Sequence, residues 1–182
     1  MLDIDSVLVM SNQALESAKT LNYESGQVGA YRSLGVVYIM TGDYPKSLQY
    51  LDSAMFTLEG TNEDLLLRSN ILNSQGVAFE ETGDYKNALA SYLEAIRIKE
   101  RLGDEEKLGK AQSNLGKLYL GMGMLDSAAV YLLKALSSEQ HLTNSNGGSA
   151  SYLVLGQVRQ RMGDLTEAKK MFQRNLILQE ER

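Results

Sequence analysis

Residues 75–88 read QGVAFEETGDYKNA, and the same arrangement returns as LGVVYIMTGDYPKS at 34–47, LGKLYLGMGMLDSA at 115–128 and LGQVRQRMGDLTEA at 155–168. Each copy has a glycine at its second position (Gly35, Gly76, Gly116, Gly156) and another seven residues later (Gly42, Gly83, Gly123, Gly163). Both sets advance by 41, 40 and 40 residues. A fixed period of this size marks one supersecondary unit stacked several times, because a unit too small to bury its own apolar face must bury it against a neighbour. Stacked units present extended surfaces to partners more readily than they enclose pockets for chemistry.

Around the second copy, Leu65, Leu66, Leu67, Ile71, Leu72, Val77, Ala78 and Phe79 recur at three- and four-residue steps, which predicts an amphipathic helix over about 63–82. Asn62 is placed to cap its start, with Asp64 in the first turn where the helix dipole favours an anion. Gly83 then supplies a turn conformation that other residues reach only at a cost, and Asp84 caps a second helix over about 84–101. That helix turns Tyr85, Ala88, Leu89, Tyr92, Leu93, Ala95, Ile96 and Ile98 to one face and leaves Lys86, Glu94, Arg97 and Lys99 largely on the other. Gly76, Ala88 and Ala95 let two backbones approach within roughly 8–10 Å, and Tyr92 and Phe79 fill the space around them. The ten tyrosines fall mostly at such core positions, and the eight methionines, among them Met122, Met124 and Met162, read as gap fillers. Pro45, the one proline, follows Gly42-Asp43 and suits the first turn of a helix, so the chain is expected to be all-α.

Composition sets the outer limits. At 43% hydrophobic and 23% charged residues the chain lies near the globular average. A net charge of −5 and the lack of a clustered basic stripe argue against a nucleic-acid binder. Without cysteine there is neither a disulfide framework nor a thiolate metal site, and one histidine, His141, cannot build the usual zinc centres, so no metal and no cofactor are expected. His141 reads as a cation at the negative end of a helix. No apolar run is long enough to cross a membrane. Met1 to Met10 carries Asp3 and Asp5 in place of a basic leader, which reads as a cytoplasmic chain, or a periplasmic one had a leader been removed.

The order of residue types resembles the tetratricopeptide repeat, whose pattern is a large residue, Leu-Gly, an aromatic, a small residue, an aromatic or Leu, then Ala. Unit one supplies Tyr31, Leu34, Gly35, Tyr38, Ser47, Leu51 and Ala54; unit three Leu115, Gly116, Tyr119, Ala128, Leu132 and Ala135; unit four Tyr152, Leu155, Gly156, Ala168 and Phe172. Gln75 and Gln112 stand where Leu and an aromatic are usual, Arg159 replaces an aromatic, and the closing proline is absent. The resemblance implies a right-handed α-solenoid of antiparallel helix pairs. The period of about 40 exceeds the usual 34 or so of the family, through longer helices or a looser corner between units. In this it is similar to kinesin-light-chain-like, spindle-orientation and bacterial peptide-sensor proteins, which implies a non-catalytic module binding a peptide or protein segment in a concave groove. The alternative it implies is the sensory domain of a larger bacterial regulator or sensor kinase.

The register divides the chain, read as a single array over 1–182, into repeats at 24–60, 62–103, 104–142 and 147–181. One period before Ala54 lies Ala14, so 2–22 reads as the second helix of a preceding unit. The Gly-rich stretch Asn144-Ser145-Asn146-Gly147-Gly148-Ser149 lacks the lysine of a phosphate loop and reads as a connection between the third and fourth repeats. Uncapped apolar faces at both ends predict either excision from a longer protein or self-association end to end.

The resemblance places the groove lining on the first helix of each unit. Carried across, this gives Arg32, Ser33, Val36, Ile39 and Met40; Asn70, Asn73, Ser74, Val77, Glu80 and Glu81; Lys110, Ser113, Asn114, Lys117 and Leu120; and Leu153, Gln157, Gln160 and Arg161. Amides both donate and accept, which suits them to holding a peptide backbone whatever its side chains. Arg32 and Lys110 match two basic positions of the carboxylate clamp by which some family members hold a C-terminal Asp, and Asn114 is compatible with it, but Val36 and Ser74 stand where that clamp has asparagines, so the match is incomplete. Acid pairs such as Glu80-Glu81 are adjacent on a helix and diverge, so no catalytic pair is expected.

Overall fold

The computed structural model describes residues 4–59, 64–139 and 148–180. Among them are nine helices and no strand: α1 Ile4–Thr20, α2 Glu24–Met40, α3 Tyr44–Glu59, α4 Leu65–Glu81, α5 Tyr85–Leu102, α6 Glu105–Gly121, α7 Leu125–Glu139, α8 Ser149–Arg161 and α9 Leu165–Glu180. The fold is the all-α helical-repeat solenoid expected from the sequence. Around α4 and α5 the excess over the usual period resides in the helices, which are 17 and 18 residues long, while only Gly103 and Asp104 separate α5 from α6.

The helix ends follow from local chemistry. Asp43, Asp64, Asp84, Asp104 and Asp164 each accept, through Oδ1, the backbone N–H three residues on, at 3.0–3.2 Å, satisfying a donor that a helix start leaves unpaired. The cap of α4 is therefore Asp64 and not the expected Asn62, which lies outside the described residues. At the other end of α4, Gly83 takes φ +80°. The Asp84 N–H reaches back to the Phe79 carbonyl at 2.9 Å and the Gly83 N–H to that of Glu80 at 3.0 Å, a closure that needs the left-handed conformation. Pro45 sits in the first turn of α3 as expected. His141 and Asn144 to Gly147 lie outside the described residues; Gly148, with φ +97°, precedes α8.

Contacts divide the chain into two compact units, residues 1–95 and 96–182, with α5 contributing to each. In the first, Val28, Leu51, Ala54, Leu58 and Ile71 form one core cluster, and Leu15, Ala30 and Leu34 another. In the second, Leu120, Ala128, Ala129, Leu132, Leu136, Leu155 and Val158 form a core cluster. Each helix pair closes on a glycine. A Cβ at Gly76 would stand 2.6 Å from the Tyr92 ring; at Gly35, 2.6 Å from Leu51 Cγ; at Gly116, 2.6 Å from Leu132 Cγ; and at Gly156, 2.5 Å from the Phe172 ring.

Several side chains depart from expectation. Leu66, Tyr85 and Leu93 are exposed, as are Met122, Met124 and Met162, which cover the turns without filling gaps in the core. The amides standing in for apolar residues are buried and bonded: Gln75 Nε2 donates to Asp52 Oδ1 at 2.8 Å, and Gln112 Oε1 accepts from the Ser138 hydroxyl at 3.3 Å. Lys99, expected on the solvent side, is only 2% exposed. Its position repeats that of Leu58, 41 residues earlier, which is a core residue. Burial lowers its pKa from 10.5 to about 8, with Asp104 opposing the shift and Lys107 adding to it.

Two outcomes follow. Gly76→Leu forces a branched side chain into the space of the Tyr92 ring and should cost about 1–3 kcal/mol in a denaturant titration. For Lys99 the folded state binds fewer protons than the unfolded state between pH of about 8 and 10.5, so stability rises with pH across that window, by up to about 1.4 kcal/mol per pH unit. Lys99→Met, which removes the titrating group, should flatten that rise; an identical slope in both proteins would overturn the assignment to Lys99.

Candidate protein-binding face

In the first unit α2 contacts α4, and in the second α6 contacts α8; among the described residues α1 does not approach α3, nor α7 approach α9. The helices that approach one another form the tighter, inner layer. The residues assigned to a groove thus lie on the inner-layer helices of each unit.

In the first unit, Arg32, Val36, Asn70, Asn73 and Glu80 are half-buried. Arg32 Nε is enclosed without a hydrogen-bond partner. Ser74 is only 8% exposed and its hydroxyl donates to the Asn70 carbonyl at 3.1 Å, so little of it faces outward. Glu80 is engaged from inside: the Tyr92 hydroxyl donates to its Oε2 at 3.0 Å. Burial first, and then the adjacent Glu80 carboxylate, push the Tyr92 pKa far up, which keeps that hydroxyl a donor. Tyr92 is fully buried, and this pairing was not among the sequence expectations. Its signal was there, since the other three glycines face Leu51, Leu132 and Phe172, none of which carries a hydroxyl.

In the second unit, Lys110, Lys117 and Gln157 are exposed and Asn114 is half-buried. Leu120 is a correction: it belongs to the α7–α8 core and contributes only its carbonyl, which accepts from Arg161 Nη1 at 3.2 Å. Arg161, exposed at the end of α8, is thereby tied to α6. Ser113 and Ser151 bridge α6 and α8 through their hydroxyls at 2.9 Å. Lys110, Lys117 and Arg161 are all exposed on α6 and α8. Among the described residues no group of three or more His, Cys, Asp or Glu could hold a metal ion, and no helix is long and apolar enough to cross a membrane.

Comparison with known proteins agrees with this architecture. A tetratricopeptide-repeat family model matches residues 26–101 and again 67–141, and a second model of the same repeat matches 149–175. The chain is similar to the human SH3 domain and tetratricopeptide repeat-containing protein 2, with 30% identity over 125 residues, which is 67% of this chain and 10% of that protein. It thus spans about a tenth of that relative's length. Among solved structures it resembles BtubC (BKLC) from P. vanneervenii, at a TM-score of 0.83 and 21% identity over 100% of this chain and 76% of that one. It also resembles a putative kinesin light chain with nearly identical TPR-like repeats from Podosopora anserina, at 0.73 and 17%, covering 98% and 88%. At these identities the structural likenesses speak to fold alone. The family models cover well over half of the chain in the register that its paired glycines set, and the chain belongs to the tetratricopeptide-repeat family.

Proposed function

We propose that this chain is a non-catalytic protein-interaction module whose inner-layer helices hold an extended segment of a partner protein. The observation that carries this reading is the pairing of α2 with α4 and of α6 with α8, which lays Asn70 and Asn73 on one inner layer and Asn114 and Gln157 on the other. An amide has two donor positions and two acceptor positions, so an asparagine bonded within its own helix layer still has capacity for a peptide N–H or carbonyl. In this reading the repeats run 24–60, 62–103, 104–142 and 147–181, with α1 as the second helix of a preceding unit.

The test begins with peptides selected by display against the whole chain and then measured by calorimetry. The double variant Asn73→Ala and Asn114→Ala removes two hydrogen-bonding side chains and should weaken the selected peptide about tenfold, since each such bond contributes on the order of 0.5–1.5 kcal/mol. It should remain folded, with a cooperative thermal melt. Unchanged affinity alongside a cooperative melt would remove these residues from the binding face.

A further inference from the structure

We propose that a cleft in the first unit, between the start of α2 and the end of α3, holds an arginine side chain of a partner protein. Glu24, Gln27, Phe56, Thr57 and Glu59 line a cavity of about 450 Å³, within the range of small-ligand clefts, about 300–1,000 Å³. Phe56 is 80% exposed, so most of its ring lies open. Glu24 and Glu59 are far apart in sequence and on different helices, and the fold brings both to this cavity. Among the described residues no ion pair places a cation on Glu24 or Glu59.

The lining selects its occupant. An apolar side chain seated here would strip water from two carboxylates and return no charge, a cost that burial of one side chain does not offset. An anion would be repelled. A cation fits both features: it is attracted to the face of an aromatic ring and to the flanking carboxylates. Between the two basic side chains the aromatic wall favours arginine, whose planar, weakly hydrated guanidinium stacks on a ring while its edge donors remain directed outward, whereas the lysine ammonium is a strongly hydrated point charge. Gln27 adds an amide acceptor. The Thr57 hydroxyl already donates to the Ser53 carbonyl at 2.9 Å, so toward the cleft it serves as an acceptor, again suited to a donor-rich guest. The site lies at the junction of an inner-layer helix with its outer partner and shares no lining residue with the face proposed above, so the two are tested by different substitutions.

The test is an amide-resolved NMR titration of the whole chain with N-acetyl-Gly-Arg-Gly-amide, and in parallel with the same peptide carrying lysine. Saturable shifts confined to residues 24–27 and 56–59 are expected with the arginine peptide, and weaker binding with lysine. Phe56→Ala and Glu59→Gln alter exposed positions and leave the core intact; each should weaken the arginine peptide about two- to fivefold, the size of an exposed cation–ring contact or ion pair. Absence of saturable shifts at millimolar peptide would overturn the proposal. So would equal affinity for the lysine peptide, or shifts spread over the acidic surface that neither variant changes.

Discussion

The structure depends on four places where a helix backbone is bare of side chain so that a large residue of the next helix can lie against it. Gly35 receives Leu51, Gly76 receives Tyr92, Gly116 receives Leu132 and Gly156 receives Phe172, each sixteen residues on. A methyl group at any of the four would fall some 2.5–2.6 Å from the facing side chain, well inside contact distance, and the two helices would have to separate. Because interiors are close-packed, such a separation is not absorbed locally. Ala54, which shares a core with Leu51, and Ala128 and Ala129, which share one with Leu132, are packed on the assumption of that distance.

The turn between the paired helices is set by the same economy of residue types. A glycine at positive φ ends the first helix, and in three of four cases an aspartate directly after it caps the second: Asp43, Asp84 and Asp164. Met124 stands at that place in the third copy and has no side-chain acceptor. The helix that follows starts nonetheless, held by its packing on α6 through Leu132 and Gly116. Capping contributes on the order of 1 kcal/mol, less than the burial of such a face, so tertiary packing dominates where the two conflict.

Much of this was legible in the glycine register. It placed two helices at about 63–82 and 84–101, where the structure has Leu65–Glu81 and Tyr85–Leu102. Hydropathy misread individual positions: Lys99 counts as polar, yet its long apolar stem occupies the place that Leu58 occupies one period earlier, and the register, not the residue type, says so. The candidate face was less legible. Which helices carry it follows from periodicity, but whether a side chain on those helices is already engaged from within depends on residues distant in sequence. Leu120, Glu80 and Arg161 are each tied to a neighbour by bonds or packing that no local pattern encodes.

Tyr92 shows how packing and surface chemistry are joined in one residue. Its ring is the filler that Gly76 requires, a task that Leu or Phe performs in the other copies. Its hydroxyl then has to find a partner, because a buried hydroxyl without one is costly. It finds Glu80, one turn beyond Gly76 on the same helix. Glu80 is thereby fixed in place on an inner-layer helix by a group buried behind it, so the choice of tyrosine over leucine at a packing position also sets the orientation of a charge on the face proposed for a partner. A repeat that used Phe at this position could pack equally well, but its carboxylate would lack that donor and the orientation it imposes. In this unit the core residue that closes the helix pair therefore also contributes to whatever electrostatic specificity the face has.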